Sequence, residues 1–314
     1  MPDGRPVRIL HAHSTFALGG KEARAVRLMN AFDGSAEHVI LNATDQWGAL
    51  DAVAPGIAVA RAENAPSLNG RPGHRRYRAL SRYMRGFDLV LTYNWGAMDL
   101  VAARRAFGGP PLIHHEDGFN EDEARRRKAI RNRFRRLALP AAHRLIVPSE
   151  QLEAIAQREW RQPRERVVRI SNGIDVARFQ QVPSRPIPGL DKQADEVVIG
   201  TVAGLRAVKN LPRLVRAFAI AMGSHKARLV IVGDGPERAR IETEAVAWGV
   251  ELSVLMPGFM AEPADWIGHF DIFALSSDSE QFPISLVEAM AAGLPVVSTA
   301  VGDVPGMVAN ENRF

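Results

Sequence analysis

The sequence contains no cysteine among its 314 residues. Disulfides, thiolate metal sites and cysteine nucleophiles are therefore excluded, and the composition fits a reducing compartment. Long apolar runs are absent as well: no stretch approaches about eighteen uninterrupted apolar residues, so we predict no transmembrane helix. The N-terminal residues MPDGRPVRILHAHS lack the apolar core of a signal peptide, because VRIL is too short. We therefore expect a cytoplasmic protein.

Acidic residues are outnumbered by basic ones in the first half of the chain. Residues 1–180 carry 29 Lys and Arg against 19 Asp and Glu, whereas residues 181–314 carry 11 against 16. The densest basic block is RRRKAIRNRFRR, residues 125–136. Its sparse apolar residues form one narrow helical stripe, so the block is either a solvated helix face or a surface for anionic lipid headgroups on the inner face of the membrane. Nucleic acid is not expected as a partner, because few aromatic residues interleave and no binding module is recognisable.

Short apolar runs alternate with helical patterns along most of the chain. Those of the first half are VRILHAHS, HVILNA, DLVLTYN, PLIHHE and RLIVPS. Those that begin near residue 196 are EVVIGTVAG, ARLVIVGDG, LSVLMPGF, DIFALSS and LPVVSTA. Between the latter we predict the helices NLPRLVRAFAIAM, PERARIETEAVAWG, EPADWIGHF and PISLVEAMAAG. This alternation predicts parallel sheets with helices on both faces.

The chain is expected to form two doubly wound α/β domains, over residues 1–178 and 196–314. The segment between them, FQQVPSRPIPGLDKQAD, is rich in Pro and polar residues, which is typical of a linker over 179–195. In such folds the ligand lies beyond the carboxyl ends of the strands, so the cleft between two domains is the expected site. The second series stops soon after PVVSTA, and we expect that further strand and helix of that domain are missing.

The segment SEQFPISLVEAMAAGLPVV places two glutamates, Glu280 and Glu288, across a predicted helix start. Pro283 suits the first helical turn, since its missing N–H would be unpaired there. The amides around it then form an anion site at the positive end of the helix dipole. With a carboxylate on either side to accept hydrogen bonds from hydroxyls, a nucleotide sugar fits. The alternative is two surface glutamates beside a core helix.

The same segment resembles the E-x7-E region of glycosyltransferase family 4, which are retaining enzymes with the two-domain GT-B architecture. The chain departs from the usual pattern at Gln281 and Pro283, where glycines are common. The resemblance implies that Glu280 contacts the hydroxyls of the donor sugar and that Glu288 contacts the ribose. It also implies that the backbone near three neighbouring residues holds phosphate or sugar: Phe282, Pro283 and Ile284.

Other segments resemble the same family in the right order. GGKE resembles its N-terminal glycine loop, where Gly19 and Gly20 allow the backbone to approach a ligand closely. GTVAGLRAVKN resembles the segment that supplies a lysine, here Lys209, and an arginine to the diphosphate. The usual arginine position is Gly204, so we expect Arg206 to substitute, the alternative being a solvated loop charge. VIVGDGPER resembles the turn whose glycines, Gly233 and Gly235, approach the nucleotide.

The segment LIHHEDGF ends a strand of the first domain, where the family often has a histidine that faces the donor sugar. Four residues compete for this role: His114, His115, Glu116 and Asp117. We take His114 and Asp117 as candidates for acid–base or sugar-positioning work, with hydrogen bonding inside the loop as the alternative. The spacing matches no common set of metal ligands, and family members generally need no metal. Neither a metal nor a cofactor is therefore expected.

The resemblance covers nearly the whole chain. It implies a retaining glycosyltransferase that moves a hexose from a UDP- or GDP-type sugar to a hydroxyl acceptor. The acceptor implied is a glycan or lipid-linked sugar of bacterial surface polysaccharide synthesis. Two alternatives stay open: a nucleotide-sugar epimerase of the same architecture, and a non-catalytic protein that binds nucleotide sugars.

Overall fold

A computed structural model describes residues 5–17, 19–119, 121–124, 126–223 and 225–312. Contacts divide the chain into two units, Met1–Ser171 and Asn172–Phe314. The division lies ahead of the limit at residue 178 that composition suggests. The segment expected as a linker contributes Phe179 and Ile187 to the buried core of the second unit. The domain limits drawn from composition stay a prediction.

The first unit is built on a seven-stranded parallel sheet in the order β3-β2-β1-β4-β5-β6-β7. Its strands are β1 (Val7–His13), β2 (Ala36–Asn42), β3 (Val59–Arg61), β4 (Leu89–Tyr93), β5 (Leu112–His115), β6 (Arg144–Val147) and β7 (Val167–Arg169). Its α-helices in the described residues are α1 (Gly20–Phe32), α2 (His74–Met84), α3 (Met98–Phe107), α4 (Glu121–Ala124), α5 (Ala129–Ala138) and α6 (Glu150–Arg158).

Helices cover both faces of this sheet, and each strand packs against both because its successive side chains point to opposite sides. Leu10 of β1 joins a core with residues of α2, α3, α5 and α6, whereas Ile9 joins a second core with residues of α1. The strands are therefore continuous apolar runs, as buried parallel strands should be.

The second unit has a five-stranded parallel sheet in the order β10-β9-β8-β11-β12. Its strands are β8 (Val197–Val202), β9 (Ala227–Val232), β10 (Val254–Gly258), β11 (Ile272–Leu275) and β12 (Val296–Ser298). Its α-helices in the described part of the chain are α7 (Val176–Phe179), α8 (Leu211–Met222), α9 (Arg238–Ala247), α10 (Ile284–Ala291) and α11 (Val304–Met307). Two cores again cover the sheet. The predicted fold class, two parallel-sheet α/β domains, is confirmed.

The predicted helix over EPADWIGHF is wrong, since the structure has two short 3-10 turns there, Pro263–Asp265 and Ile267–His269. The cause is local. Glu262 has a left-handed φ of 52°, and the fully buried Trp266 donates its indole N–H to the carbonyl of Ala261 at 2.9 Å. The Trp266 hydrogen bond to Ala261 and the left-handed Glu262 hold the backbone in a turn, so a regular α-helix does not form.

All the described strands of a unit run in one direction, so their carboxyl ends meet at one edge of each sheet. In the first unit that edge carries His13, Tyr93 and His115, the last residues of β1, β4 and β5. In the second unit it carries the loops after β8 and β11. No helix in the described residues is long and apolar enough to cross a membrane.

Candidate functional site

A lysine and a glutamate meet at the carboxyl edge of the second sheet. Lys209 ends a 3-10 turn after β8, and Glu280 lies in the loop after β11. The lysine Nζ lies 2.5 Å from Oε1 of Glu280, and the Ser277 hydroxyl donates to the same oxygen at 2.7 Å. Both side chains are mostly shielded, being 17% and 12% exposed. They line a small pocket together with the end of β8, so the structure brings these two predicted site residues together.

The backbone of the Glu280 loop is fixed by its neighbours. Gly302 has a left-handed φ of 55°, and a Cβ at that position would lie 2.5 Å from the carbonyl oxygen of Glu280. The amide of Asp303 donates to the carbonyl of Gln281 at 3.1 Å, and the Asn172 side chain donates to that of Phe282 at 3.1 Å. The chain therefore passes too close to Gly302 for any larger residue to fit unchanged.

Helix α10 begins directly after this loop. Pro283 is its N-cap residue, one position earlier than the first helical turn. Phe282 and Ile284, which flank it, are half-buried. The first amides of an α-helix have no partner within the helix and carry the positive end of its dipole. Glu288, one turn further along, is only 5% exposed.

The glycines of the VGDG turn have a packing role in this structure. A Cβ on Gly233 would lie 1.9 Å from the carbonyl oxygen of Ala203, and one on Gly235 would lie 2.6 Å from that of Leu205. The amide of Leu205 also donates to the carbonyl of Asp234 at 2.9 Å. The turn thus packs directly on the loop after β8.

Arg206 lies in that same loop and is exposed. Its Nε lies 3.7 Å from the point where a Cβ on Gly204 would be. The Arg206 side chain therefore folds back over Gly204, the position where the resemblance places an arginine.

In the first unit, Asp117 lies beside Arg24 of α1. The Arg24 guanidinium is paired with Oδ1 of Asp117, and its other amine lies 2.9 Å from Nδ1 of His115. The Asp117 amide donates to the Asn94 side chain at 2.6 Å. Burial raises the pKa of Asp117, and Arg24 opposes that shift. Oδ2 of Asp117 is buried and has no hydrogen-bond partner among the described residues.

A stack of rings lies behind this pair. Tyr93 is sandwiched between His13 and His115, at ring-centroid distances of 4.2 and 4.8 Å. His11 lies 3.1 Å from the Tyr93 hydroxyl through Nδ1 and 3.0 Å from His38 through Nε2. Burial lowers the pKa of His13 and of His115, and burial with His38 lowers that of His11 to about 3. These imidazoles are therefore neutral at physiological pH.

The glycine loop lies at the start of α1. Gly19 is its N-cap residue, and Gly20, its first residue, is exposed. A Cβ on Gly19 would lie 2.9 Å from a carboxylate oxygen of Glu22. Glu22 is buried and paired with Lys21, and burial raises its pKa.

His114 is fully buried on the opposite face of β5 from His115. Its Nδ1 lies 2.8 Å from the Thr92 hydroxyl, and its Nε2 lies 3.7 Å from Oε2 of Glu116. Glu116 in turn accepts from Nε of Arg135 at 3.2 Å. Of the two candidates in this segment, the structure therefore places Asp117 at the α1 side and His114 in the interior. In the described residues, no group of three or more His, Cys, Asp or Glu side chains could hold a metal ion.

The basic block 125–136 is largely paired within the unit, and Arg125 lies outside the described residues. Arg127 pairs with Glu159 at 2.5 Å, Lys128 with Asp122 at 2.5 Å, and Arg131 with Asp122 at 2.8 Å. Arg135 is fully buried between Glu116, Glu123 and three aromatic rings, those of Trp95, Phe119 and Trp160. Much of the charge that the sequence shows is thus neutralised.

Sequence reasoning missed several residues of these clusters. Arg24 follows the glycine loop by only four positions and could have been found from that placement. Tyr93 ends a predicted strand, and its position at the carboxyl edge was the available signal. Gly302 had no signal except its place in VGD, because its close approach to Glu280 is a tertiary contact.

Comparison with known families decides the relationship. Residues 18–178 match the family model described as Glycosyltransferase Family 4, and residues 187–313 match the one described as Glycosyl transferases group 1. The chain belongs to glycosyltransferase family 4. The resemblance seen in the motifs is confirmed over both units of the chain.

Curated relatives share this membership over part of their length. EpsF of Bacillus subtilis, named as a glycosyltransferase, is 33% identical over 173 residues, which is 52% of this chain and 44% of EpsF. WcaL of Escherichia coli, named as a colanic acid biosynthesis glycosyltransferase, is 32% identical over 173 residues, 52% of this chain and 41% of WcaL. The chain thus spans less than half the length of these relatives.

Among solved structures, Alr3699/HepE of Anabaena, crystallised with UDP and glucose, superposes with a TM-score of 0.79. The match covers 97% of this chain and 83% of that one at 21% identity. At that identity the likeness establishes the fold, which is GT-B.

Proposed function

We propose that the chain is a retaining glycosyltransferase that moves a hexose from a nucleoside-diphosphate sugar of UDP or GDP type to a hydroxyl acceptor. The observation that carries the proposal is the Lys209–Glu280 pair beside the start of α10. Family membership, the relatives' names and the UDP and glucose bound to Alr3699/HepE support it. The proposed acceptor is a glycan or lipid-linked sugar of surface polysaccharide synthesis, which agrees with the name of WcaL.

The second unit would hold the donor. The diphosphate lies at the first amides of α10, near Phe282, Pro283 and Ile284, where the helix dipole favours negative charge. Lys209, now held by Glu280, turns to the phosphate when the donor binds. Glu280 then accepts hydrogen bonds from the sugar hydroxyls, and Glu288 from the ribose.

Two further features support the diphosphate site. The stem of Arg206 lies close to Gly204, which is where the resemblance expects an arginine, so its guanidinium can add a second cation. The backbone of Gly233 and Gly235 approaches the nucleotide from the neighbouring turn, which packs on the Arg206 loop.

The first unit would contribute Asp117 and the glycine loop. Oδ2 of Asp117 is a buried acceptor atom with no partner in the described residues, and a sugar hydroxyl is a suitable donor for it. Gly19 and Gly20 leave the start of α1 open to a ligand. His114 lies in the interior beside Glu116 and does not touch the sugar in this proposal.

The reaction proposed is a direct displacement on one face of the sugar. The bond between the anomeric carbon and the diphosphate oxygen breaks, and a bond from the acceptor oxygen to the same carbon forms on the same face. The acceptor proton passes to the departing phosphate oxygen, and the nucleoside diphosphate leaves. Lys209, Arg206 and the α10 amides stabilise the charge that develops on that oxygen. No metal is part of the proposal.

An anionic membrane surface is the further partner proposed, because a lipid-linked acceptor lies at such a surface. The block 125–136 was the predicted contact. Its remaining exposed side chains include Arg126 and Arg133, with Ile130 and Leu137 of α5 at 75% and 72% exposure.

The test is a transfer assay with UDP- and GDP-hexoses, a soluble glycan and a lipid-diphosphate sugar as acceptors. Product with the donor's anomeric configuration supports the proposal, and inverted product contradicts the retaining part. An epimerised nucleotide sugar formed without acceptor would instead support an epimerase. Lys209→Met should lower the rate by roughly 10²–10³-fold, as loss of one charge-stabilising group does.

A further inference from the structure

One face of α2 carries a row of arginines. Arg75, Arg78 and Arg82 belong to α2, and Arg85 is its C-cap residue with an α-helical backbone. The four are spaced by three, four and three residues, so they lie on a single stripe. All four are exposed. The opposite face packs into the core through Leu80, Ser81 and Met84. We call this row the α2 arginine ridge; it is about 15 Å long, at the rise of an α-helix.

The ridge has little internal compensation. Among the residues that the structure describes, no acidic side chain pairs with Arg75, Arg78 or Arg82. Arg85 gives one amine to the carbonyl of Phe107 at 3.1 Å and remains exposed. Arg76 lies on another side of the helix and forms an ion pair with Asp99 at 3.0 Å.

This arrangement is the reverse of that in the basic block 125–136. There the sequence is denser in charge, yet Arg127, Lys128 and Arg131 are paired with acids and Arg135 is buried. The α2 helix has fewer charges along the sequence, but Arg75, Arg78 and Arg82 have no acidic partner among the described residues. Free charge, and not charge density along the chain, attracts an anionic partner.

The row also weakens the helix that carries it. Like charges three and four residues apart on a helix repel one another, and the ridge has three such neighbouring pairs. An anionic surface that faces the whole row at once would remove that repulsion.

We propose that the α2 arginine ridge is the surface by which the first unit binds anionic phospholipid headgroups. A bilayer presents phosphates in a plane, which a straight row of guanidinium groups can meet along its full length. Arginine binds phosphate oxygens through two parallel hydrogen bonds, which a lysine cannot reproduce. This inference rests on the membrane part of the proposed function and does not depend on sugar transfer.

Nucleic acid fits the ridge less well. Binding to single strands uses aromatic side chains on which bases stack, and the aromatic residues of α2, Tyr77 and Tyr83, are half-buried on the core side. A helix that reads duplex DNA combines arginine contacts to guanine with other side chains, such as Asn or Gln for adenine, whereas the ridge offers arginine alone.

The experiment is co-sedimentation of the full chain with vesicles of phosphatidylcholine and phosphatidylglycerol in equal parts, and with vesicles of phosphatidylcholine alone. Three variants each remove two exposed positive charges: Arg78→Gln/Arg82→Gln on the ridge, Arg126→Gln/Arg133→Gln at α5, and Arg158→Gln/Arg164→Gln near α6. A fourth, Arg78→Lys/Arg82→Lys, keeps the charge. Thermal unfolding of each variant checks the fold. Vesicle binding is measured without donor or acceptor sugar, so that it does not depend on sugar transfer.

The wild-type chain should bind the anionic vesicles and not the neutral ones. The ridge variant should lower the partition coefficient by roughly 25-fold, since each basic residue near an anionic surface contributes on the order of fivefold. The α6 variant should change it little, and the lysine variant should fall between. Failure of the wild type to bind would overturn the proposal, as would equal losses in all three glutamine variants or a loss confined to the α5 variant. Retention of a DNA duplex by the ridge in place of vesicles would also overturn it.

Discussion

At the scale of the residue, four neighbouring side chains that compete for one role in the sequence are separated by the face of the sheet to which each points. They are His114, His115, Glu116 and Asp117. His114 and Glu116 point to the face where Arg135 lies, whereas His115 and Asp117 contact Arg24. The sequence identified the cluster, because polar residues at the end of an apolar run are visible. It could not identify the face, because Arg135 lies in a basic block that looks solvent-exposed until α5 is placed.

The buried guanidinium of Arg135 should be essential for stability. Arg135→Met removes the cation between Glu116 and Glu123 and leaves two buried carboxylates without it. We expect the free energy of unfolding to fall by about 3–5 kcal/mol, measured by urea denaturation. The matched control is Arg133→Gln on the same helix, where the side chain is exposed and the change should stay within about 0.5 kcal/mol. Similar values for the two variants would contradict this assignment.

The buried histidines give the first unit a dependence on pH. Burial and His38 lower the pKa of His11 from 6.5 to about 3, and burial also lowers the pKa of His13 and His115. The unfolded chain therefore takes up protons near pH 6.5 that the folded chain does not. Above pH 6.5 His11 is neutral in both the folded and the unfolded chain, so it costs no stability there. As pH falls from 6.5 toward about 3, only the unfolded chain is protonated at His11, and the free energy of unfolding decreases. Urea midpoints should decrease through that window.

Two carboxyls of the same unit act in the opposite direction. Burial raises the pKa of Glu22 and of Asp117, so the folded chain binds their protons at higher pH than the unfolded chain does. Glu22→Gln/Asp117→Asn should therefore make the loss of stability on acidification steeper. In that double variant the opposing carboxyls are gone, so a urea midpoint that stays level or rises below pH 6.5 would show that the histidines are not buried as neutral groups.

At the scale of the element, the sequence predicted ten of the twelve described strands and the helices α8, α9 and α10, but not the contacts between loops. The strands β3 (VAR) and β7 (VVR) were missed, since each has three residues and ends in arginine, whereas the equally short β12 follows a recognised motif. The loop that carries Glu280 was recognised by its motif. Its shape, however, depends on Gly302 and Asn172, which approach it from distant parts of the chain.

Gly302, which packs against that loop, should be a sensitive position. In Gly302→Ala the new Cβ would meet the carbonyl oxygen of Glu280 at 2.5 Å, and an alanine at φ 55° is strained. We expect a loss of about 1–2 kcal/mol in the free energy of unfolding from the left-handed backbone alone. Weaker binding of the nucleotide sugar should accompany it, because Glu280 moves.

The matched control for this change is Gly306→Ala. Gly306 is exposed in α11, and a Cβ there meets nothing within 4 Å. Calorimetric titration with the nucleotide sugar should give wild-type affinity for Gly306→Ala and reduced affinity for Gly302→Ala. Unchanged affinity in both would mean that the Glu280 loop tolerates displacement and does not hold the donor in a fixed position.

At the scale of the whole molecule, alternation of strand and helix was enough to predict two parallel-sheet units, and the motifs were enough to predict the family. The distribution of free charge was not predictable. The block 125–136 has the most arginines in sequence, but Arg127, Arg131 and Arg135 pair with acids, whereas the α2 arginine ridge keeps its charge exposed. Pairing depends on acids such as Glu159 that lie far along the chain.

The central claim is that a nucleotide sugar binds at the start of α10, with Glu288 on its ribose. It is tested most directly by thermal unfolding of the chain in the presence of UDP- and GDP-sugars, with Glu288→Gln alongside. A donor at about a hundred times its Kd should stabilise the wild type by about 2.7 kcal/mol, and that gain should largely disappear in Glu288→Gln. If no nucleotide sugar stabilises the folded wild-type chain, or if Glu288→Gln responds as the wild type does, the claim is wrong.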